Sequence, residues 1–111
     1  MLYVLEDGTI RLTRGDTARL SVNIVNDADG STYEVRPNDV LIMSLKKNIR
    51  DATPVMQKKI VGVDTFHIEP DDTHDLEFGK YLYDVQITTE DSDVYTVIGP
   101  CAFEVMKEVT Y

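Results

Sequence analysis

The stretch Leu76-Glu77-Phe78-Gly79-Lys80-Tyr81-Leu82-Tyr83-Asp84-Val85-Gln86-Ile87 decides how this chain folds. From Lys80 onward its side chains alternate. Tyr81, Tyr83, Val85 and Ile87 fall on one face; Lys80, Asp84, Gln86 and Thr88 fall on the other, with Leu82 the one apolar exception. A pleated strand sends successive residues to opposite faces, so the pattern predicts a half-buried antiparallel strand. Gly79 stands where the backbone swings from loop to strand, and a residue without Cβ reaches dihedrals that others avoid. The reading that follows is an all-β chain with this segment as the central strand of a small β-sandwich.

The rest of the chain agrees with that reading. Leu2 to Leu5 forms a short apolar edge strand, and Asp7-Gly8 is a turn signal. Thr9 to Thr13 alternates with Ile10 and Leu12 inward. Arg14-Gly15-Asp16 matches a cell-adhesion tripeptide, but glycine and aspartate are also common turn formers between strands, and a turn is the preferred reading. Ala18 to Val25 places Ala18, Leu20, Val22 and Ile24 on one face. Asn26 to Ser31 is a polar loop, Tyr33-Glu34-Val35 resumes an extended segment, and Pro37-Asn38-Asp39 punctuates it.

Val40 to Lys46 is apolar on both faces, as expected near the middle of a sandwich. Lys47 to Pro54 is a polar loop. Val55 to Ile60 and Thr65 to Ile68, joined by Val61-Gly62-Val63-Asp64, read as a hairpin. Glu69 to Phe78 crosses over, with one helical turn at Pro70-Asp71-Asp72-Thr73. Glu90 to Asp93 turns the central strand into Val94 to Ile98, Gly99-Pro100 breaks that strand, and Ala102 to Met106 closes a single domain spanning residues 1–111. About seven to nine short strands separated by turn signals indicate an immunoglobulin-like antiparallel sandwich. In such domains a tyrosine at the start of a late strand bonds back across a corner, two residues before a core position. Tyr81 fits the corner and Tyr83 the core. No disulfide or core tryptophan is present, so Leu20, Val22 and Ile42 are expected to fill that space.

Composition narrows the function. The chain has 111 residues and a formal net charge of -9. An acidic average field disfavours nucleic acid and anionic membrane surfaces, so neither is expected as a partner. The first residues lack a basic leader, and no segment approaches the ~20 apolar residues of a membrane span. Synthesis as a soluble protein of the bacterial cytoplasm is expected. Cys101 is the single cysteine and reads as a small buried side chain, not a nucleophile.

Few residues suggest chemistry. The two histidines, His67 and His74, lie among carboxylates, and with Asp72 they form the one candidate transition-metal set. Their spacing matches no metal motif, and aspartates that cap turns in an exposed loop are the preferred reading, so no metal is expected. Asp27-Ala28-Asp29-Gly30-Ser31 resembles half a calcium loop, but Val25 occupies the first ligand position, which favours a hairpin turn. No glycine-rich phosphate loop and no local nucleophile–base pair occur. The expectation is a non-enzymatic protein with no cofactor. Among the six tyrosines, Tyr3, Tyr33, Tyr81, Tyr83, Tyr95 and Tyr111, the binding candidates are Tyr33 and Tyr95, since tyrosine combines contact area with a polar tip.

Several phrases carry a family resemblance: Ile10 to Thr17, Asp29-Gly30 with Tyr33, Asp39 to Lys47, Phe66-His67-Ile68-Glu69-Pro70-Asp71-Asp72-Thr73, and Leu76-x-x-Gly79-x-Tyr81-x-Tyr83-Asp84-Val85. The chain resembles the small immunoglobulin-like proteins of prophage tail and baseplate modules of Gram-positive gut bacteria. It is also similar to the N-terminal domain of phage baseplate upper proteins. The resemblance implies a virion structural or interaction module whose partners are other tail or baseplate proteins or itself. The alternative is a module that binds carbohydrate or a cell surface, with a host-surface glycan as ligand.

Overall fold

The computed structural model describes residues 2–4, 8–26 and 28–107, with the side chains of 2–4 left aside. Among these residues there are eight strands and one helical turn: β1 (Leu2–Val4), β2 (Ile10–Thr13), β3 (Ala18–Ser21), β4 (Val40–Lys46), β5 (Met56–Val61), β6 (Thr65–Ile68), α1 (Pro70–Thr73), β7 (Gly79–Thr88) and β8 (Val94–Met106). The fold is all-β. Six strands form one sheet in the order β1-β2-β8-β7-β4-β5, and β3 and β6 form a second. Tyr3 in its side chain, and Asp7, Asp27 and Tyr111 entirely, lie outside the described residues.

The alternation from Tyr81 to Ile87 sets the position of β7. Tyr81, Tyr83, Val85 and Ile87 are all buried, and β7 is paired along both edges, by β8 and by β4. Opposite them on β4 lie Leu45, Met43 and Leu41, which are fully buried too. Ile10, Leu12, Phe103 and Val105 continue the same inward face, and Ala18, Leu20, Phe66 and Ile68 of the second sheet join them in one apolar cluster. Ile42 stands on the opposite face of β4 from Leu41 and Met43 and is only half-buried. The volume expected of it is supplied by Phe66 and Phe103, the largest fully buried side chains.

Tyr81 is the first buried residue of β7. Its hydroxyl donates to the Glu77 carbonyl at 2.7 Å, while Tyr83 enters the core and meets Phe103 edge-on at 6.1 Å. The Tyr83 hydroxyl donates to the Gly8 carbonyl. Both phenols thus bury a ring and still satisfy a polar tip. The crossover before them carries the expected turn α1. Glu69 caps it, Asp72 closes a reciprocal capping box, and Pro70 occupies the first turn. Thr73 is fully buried, and its hydroxyl accepts the Gly15 amide at 2.9 Å. Arg14 lies 4.1 Å over the Phe78 ring. The Arg14-Gly15-Asp16 tripeptide is therefore a turn packed on the crossover, closed by Asp16 N to Thr13 O at 3.1 Å.

Four sequence expectations are corrected. The pairing is not wholly antiparallel, because β2 runs parallel to β8 from Ile10↔Phe103 to Thr13↔Met106. The strand beginning at Ala18 ends at Ser21, although Val22 stays buried. β5 and β6 do not form a hairpin: β5 pairs with β4 and β6 with β3 in the other sheet. The crossing is made within three residues. Gly62 N donates to Asp39 O at 2.9 Å on the large-sheet side, and Asp64 O accepts Val22 N at 2.8 Å on the other. Finally, Gly99-Pro100 does not break β8. From Tyr83↔Cys101 to Val85↔Ile98 the ladder advances two residues on β7 and three on β8; from Val85↔Ile98 to Gln86↔Thr96 it advances one against two. The surplus residues form a bulged stretch, where a proline without an N–H is tolerated.

Replacing Tyr81→Phe removes one buried hydrogen bond and little packing. It should lower stability by about 1 kcal/mol, read as a shifted urea midpoint at constant m-value. Gly62→Ala should cost more, on the order of 1–3 kcal/mol. Gly62 sits at φ +75°, and an added Cβ would lie 2.8 Å from the Pro37 carbonyl oxygen.

Candidate functional site

The site is built at the end of the large sheet where β7 turns into β8. Three segments meet there: the chain following β3, the residues leading into β4, and the turn Thr89–Asp93. The first is folded on itself. Asn26 N donates to Ser31 O at 2.8 Å, Gly30 N to Asn26 O at 2.8 Å and Tyr33 N to Ile24 O at 2.8 Å, with Val25 bridging to Thr32. Asp29 accepts both the amide and the hydroxyl of Ser31, and these bonds hold its carboxyl below the usual range. This is the hairpin turn expected of the segment. Tyr33 follows in no strand but is half-buried against the core.

Asp39 ties the three segments together. It is 0% exposed. Its Oδ1 accepts the Glu90 amide at 2.9 Å; its Oδ2 accepts the Arg36 amide at 2.8 Å and the Tyr33 hydroxyl. Arg36 Nε donates to the Tyr33 oxygen at 3.0 Å and lies 3.6 Å from Asp39 Oδ1. Its other nitrogens reach Asp91 at 3.4 Å and Glu90 at 3.8 Å. Glu90 in turn accepts the Asn38 amide at 2.9 Å.

The ionisation of this group follows from its surroundings. Burial alone would push the Asp39 carboxyl up. The Tyr33 hydroxyl, the two backbone amides and the Arg36 charge outweigh it and hold the carboxyl below the usual carboxylate range. The Tyr33 phenol is pushed up by burial and by its bond to Asp39. The Arg36 guanidinium is held more firmly protonated, chiefly by its bond to Tyr33.

Beside this knot lies a cleft of about 660 Å³, a volume in the usual range for ligand sites. Ile24, Tyr33, Ile87 and Val97 supply its apolar walls, while Arg36, Asp91 and Asp93 stand on its rim. Both sequence-predicted binding tyrosines, Tyr33 and Tyr95, line it. Tyr95 pairs with Ile87 across the β7–β8 ladder and is 57% exposed. In the sequence Asp39 reads only as loop punctuation and Arg36 is not singled out, since nothing local marks an aspartate that is buried by distant segments.

The candidate metal residues are not gathered. His67 is exposed on β6 opposite Arg19. Asp72 accepts the Glu69 amide at 2.7 Å and Lys58 Nζ at 2.9 Å. His74 caps α1, with Nδ1 3.1 Å from the Asp71 carbonyl oxygen and Nε2 3.3 Å from Asp75. Among the described residues no three His, Cys, Asp or Glu side chains are grouped to hold a metal ion. Cys101 is half-buried and packs on the core from β8. Among the described residues no helix is long and apolar enough to cross a membrane. Comparison with family models, curated proteins and solved structures gives no match.

Asp39→Asn should cost about 2–3 kcal/mol near neutral pH, because it loses a charged acceptor serving several donors. A carboxyl held below its unfolded value of about 3.9 contributes stability that is complete above that value. That contribution disappears as pH falls through the lower folded value. The gap between wild type and Asp39→Asn should accordingly narrow as pH is lowered below about 4, measured by urea unfolding across the acid range.

Proposed function

We propose that this chain is a non-enzymatic interaction module of the immunoglobulin-like kind, serving as a structural part of a phage-type tail or baseplate. One observation carries the fold reading: the order β2-β8-β7-β4-β5 in one sheet, with β2 parallel to β8 and β3 paired to β6 facing them. In an immunoglobulin-like sandwich, one sheet of this kind opposes the layer containing the second and fifth core strands. The Tyr81 corner, bonded four residues back to Glu77, supports the same assignment. The virion role rests on the resemblance of the sequence phrases given above, and the fold suits it: a rigid scaffold presents loops and strand edges as contact surfaces.

One observation favours a second reading. The exposed Tyr95 ring beside a polar rim is also suited to stacking on a sugar, which supports the carbohydrate-binding alternative. A glycan array separates the two.

The direct test of the tail or baseplate role is mass spectrometry of purified particles after prophage induction. Peptides of this chain should co-purify with tail proteins in a fixed ratio. Their consistent absence from intact particles would remove the assignment.

A further inference from the structure

We infer that the cleft at the β7–β8 turn is a docking slot for an extended, cationic segment of another polypeptide, which adds a strand to the outer edge of β8 over Val94–Ile98. The inference rests on the interaction-module reading and names the partner chemistry of that module.

The first observation is an open edge. Among the described residues β8 is paired on both sides only from Phe103 to Val105, where β2 accompanies it. From Val94 to Pro100 its sole strand partner among the described residues is β7. The open part reads Val94-Tyr95-Thr96-Val97-Ile98, all strong strand formers. β5, the edge at the other side of the sheet, is guarded differently: it carries Lys58 and Lys59, the residues that commonly block unwanted pairing. The open stretch of β8 has no such guard, and Pro100 marks its lower limit.

The second observation is that the inner face beside this edge is left uncovered. Tyr95 shares the inward face with Ile87, yet Ile87 is buried and Tyr95 is 57% exposed. The covering sheet ends at Ser21 and Thr65. The chain beyond it shields Ile87 but leaves the cleft in front of Tyr95. Val25 adds exposed apolar surface at the opening.

Charge selects the occupant. Asp91 and Asp93 stand on the rim, and Glu90 lies beside them. The one cation among the described lining residues, Arg36, is already engaged by Asp39, Glu90 and Asp91. A second copy of this chain brings a formal charge of -9 against the same acidic rim, which opposes self-association at this face. A strand alternating apolar residues with Lys or Arg meets all three features: main-chain bonds to β8, apolar side chains in the cleft, and cations against Asp91 and Asp93.

The test is an NMR titration of the isotope-labelled protein with three peptides of about ten residues: alternating valine–lysine, valine–glutamate and glycine–lysine. Valine–lysine should shift the amides of Val94–Ile98 and bind at least about tenfold more tightly than either control. The paired substitution Asp91→Lys with Asp93→Lys should transfer the preference to valine–glutamate, a reversal that loss of folding cannot mimic. The inference is overturned by silence of the Val94–Ile98 amides with every peptide, or by equal binding of the acidic and basic peptides. Shifts at those amides on raising the protein's own concentration would instead assign the slot to a second copy. Shifts with maltoheptaose alone would assign it to sugar. Either outcome, or a silent titration for a chain that is nonetheless found in particles, overturns the docking slot and leaves the virion assignment to its own test.

Discussion

The structure depends on one constraint: β7 is hydrogen-bonded along both edges while its inward face is removed from water. A strand in that position has no polar escape for its side chains, so each buried tyrosine must find an acceptor. Tyr81 finds Glu77 and Tyr83 finds Gly8. The first bond fixes the crossover that precedes the strand. The second fixes the approach to β2, which lies on the far side of β8. Two hydroxyls therefore specify how distant parts of the chain come together, while the surrounding aliphatic and aromatic contacts supply the bulk of the burial.

The opposite end of the sheet is organised on a different principle. There the fixed element is a charge, Asp39, completely withdrawn from solvent. Burying a carboxylate is costly unless its oxygens are well supplied with donors. Asp39 receives two backbone amides and a phenol, with Arg36 alongside. Removing any one donor would leave the others around an under-compensated charge, so the group behaves as a unit. Its consequence is geometric: Glu90 in the β7–β8 turn and Tyr33 in the preceding connection are held to the same carboxylate.

What was legible in the sequence follows from the range of the interactions involved. Alternation is local, so β7 and β2 could be read with their buried faces; β4, apolar on both sides, could be read as a strand but not for the face it buries, and Ile42 falls on the less buried one. The turn at Pro70–Thr73 was equally local, with its proline and flanking acids. Partner choice is not local. Whether β5 turns back to β4 or on to β6 depends on which sheet each strand's apolar side chains complete. Gly62 permits a crossing as readily as a hairpin. The parallel pairing of β2 with β8 joins residues about ninety positions apart, beyond any local signal. Proline at residue 100 read as a strand breaker because the bulge that accommodates it is defined only against β7. In the site, Tyr33 and Tyr95 were identified as amphipathic surface residues, but Asp39 and Arg36, which order the ground between them, carry no local mark.

The proximity of the charged knot to the open cleft has a physical consequence for recognition. A segment that binds in extended form loses its own conformational freedom, and any receptor loop it must also order adds to that loss. Here the receptor side is already ordered. Tyr33 is held by Asp39 and Arg36, the β7–β8 turn is closed by Thr89 N to Asp93 O at 2.8 Å, and Asp91 is drawn toward Arg36. The walls of the slot are thus positioned before a ligand arrives. Such an arrangement gives specificity through matching of charge and alternation, with little of the contact energy diverted into rearranging the host. The open edge and the buried aspartate are in this sense one device: the first offers main-chain bonds to a strand, and the second ensures that only one shape of groove accompanies the offer.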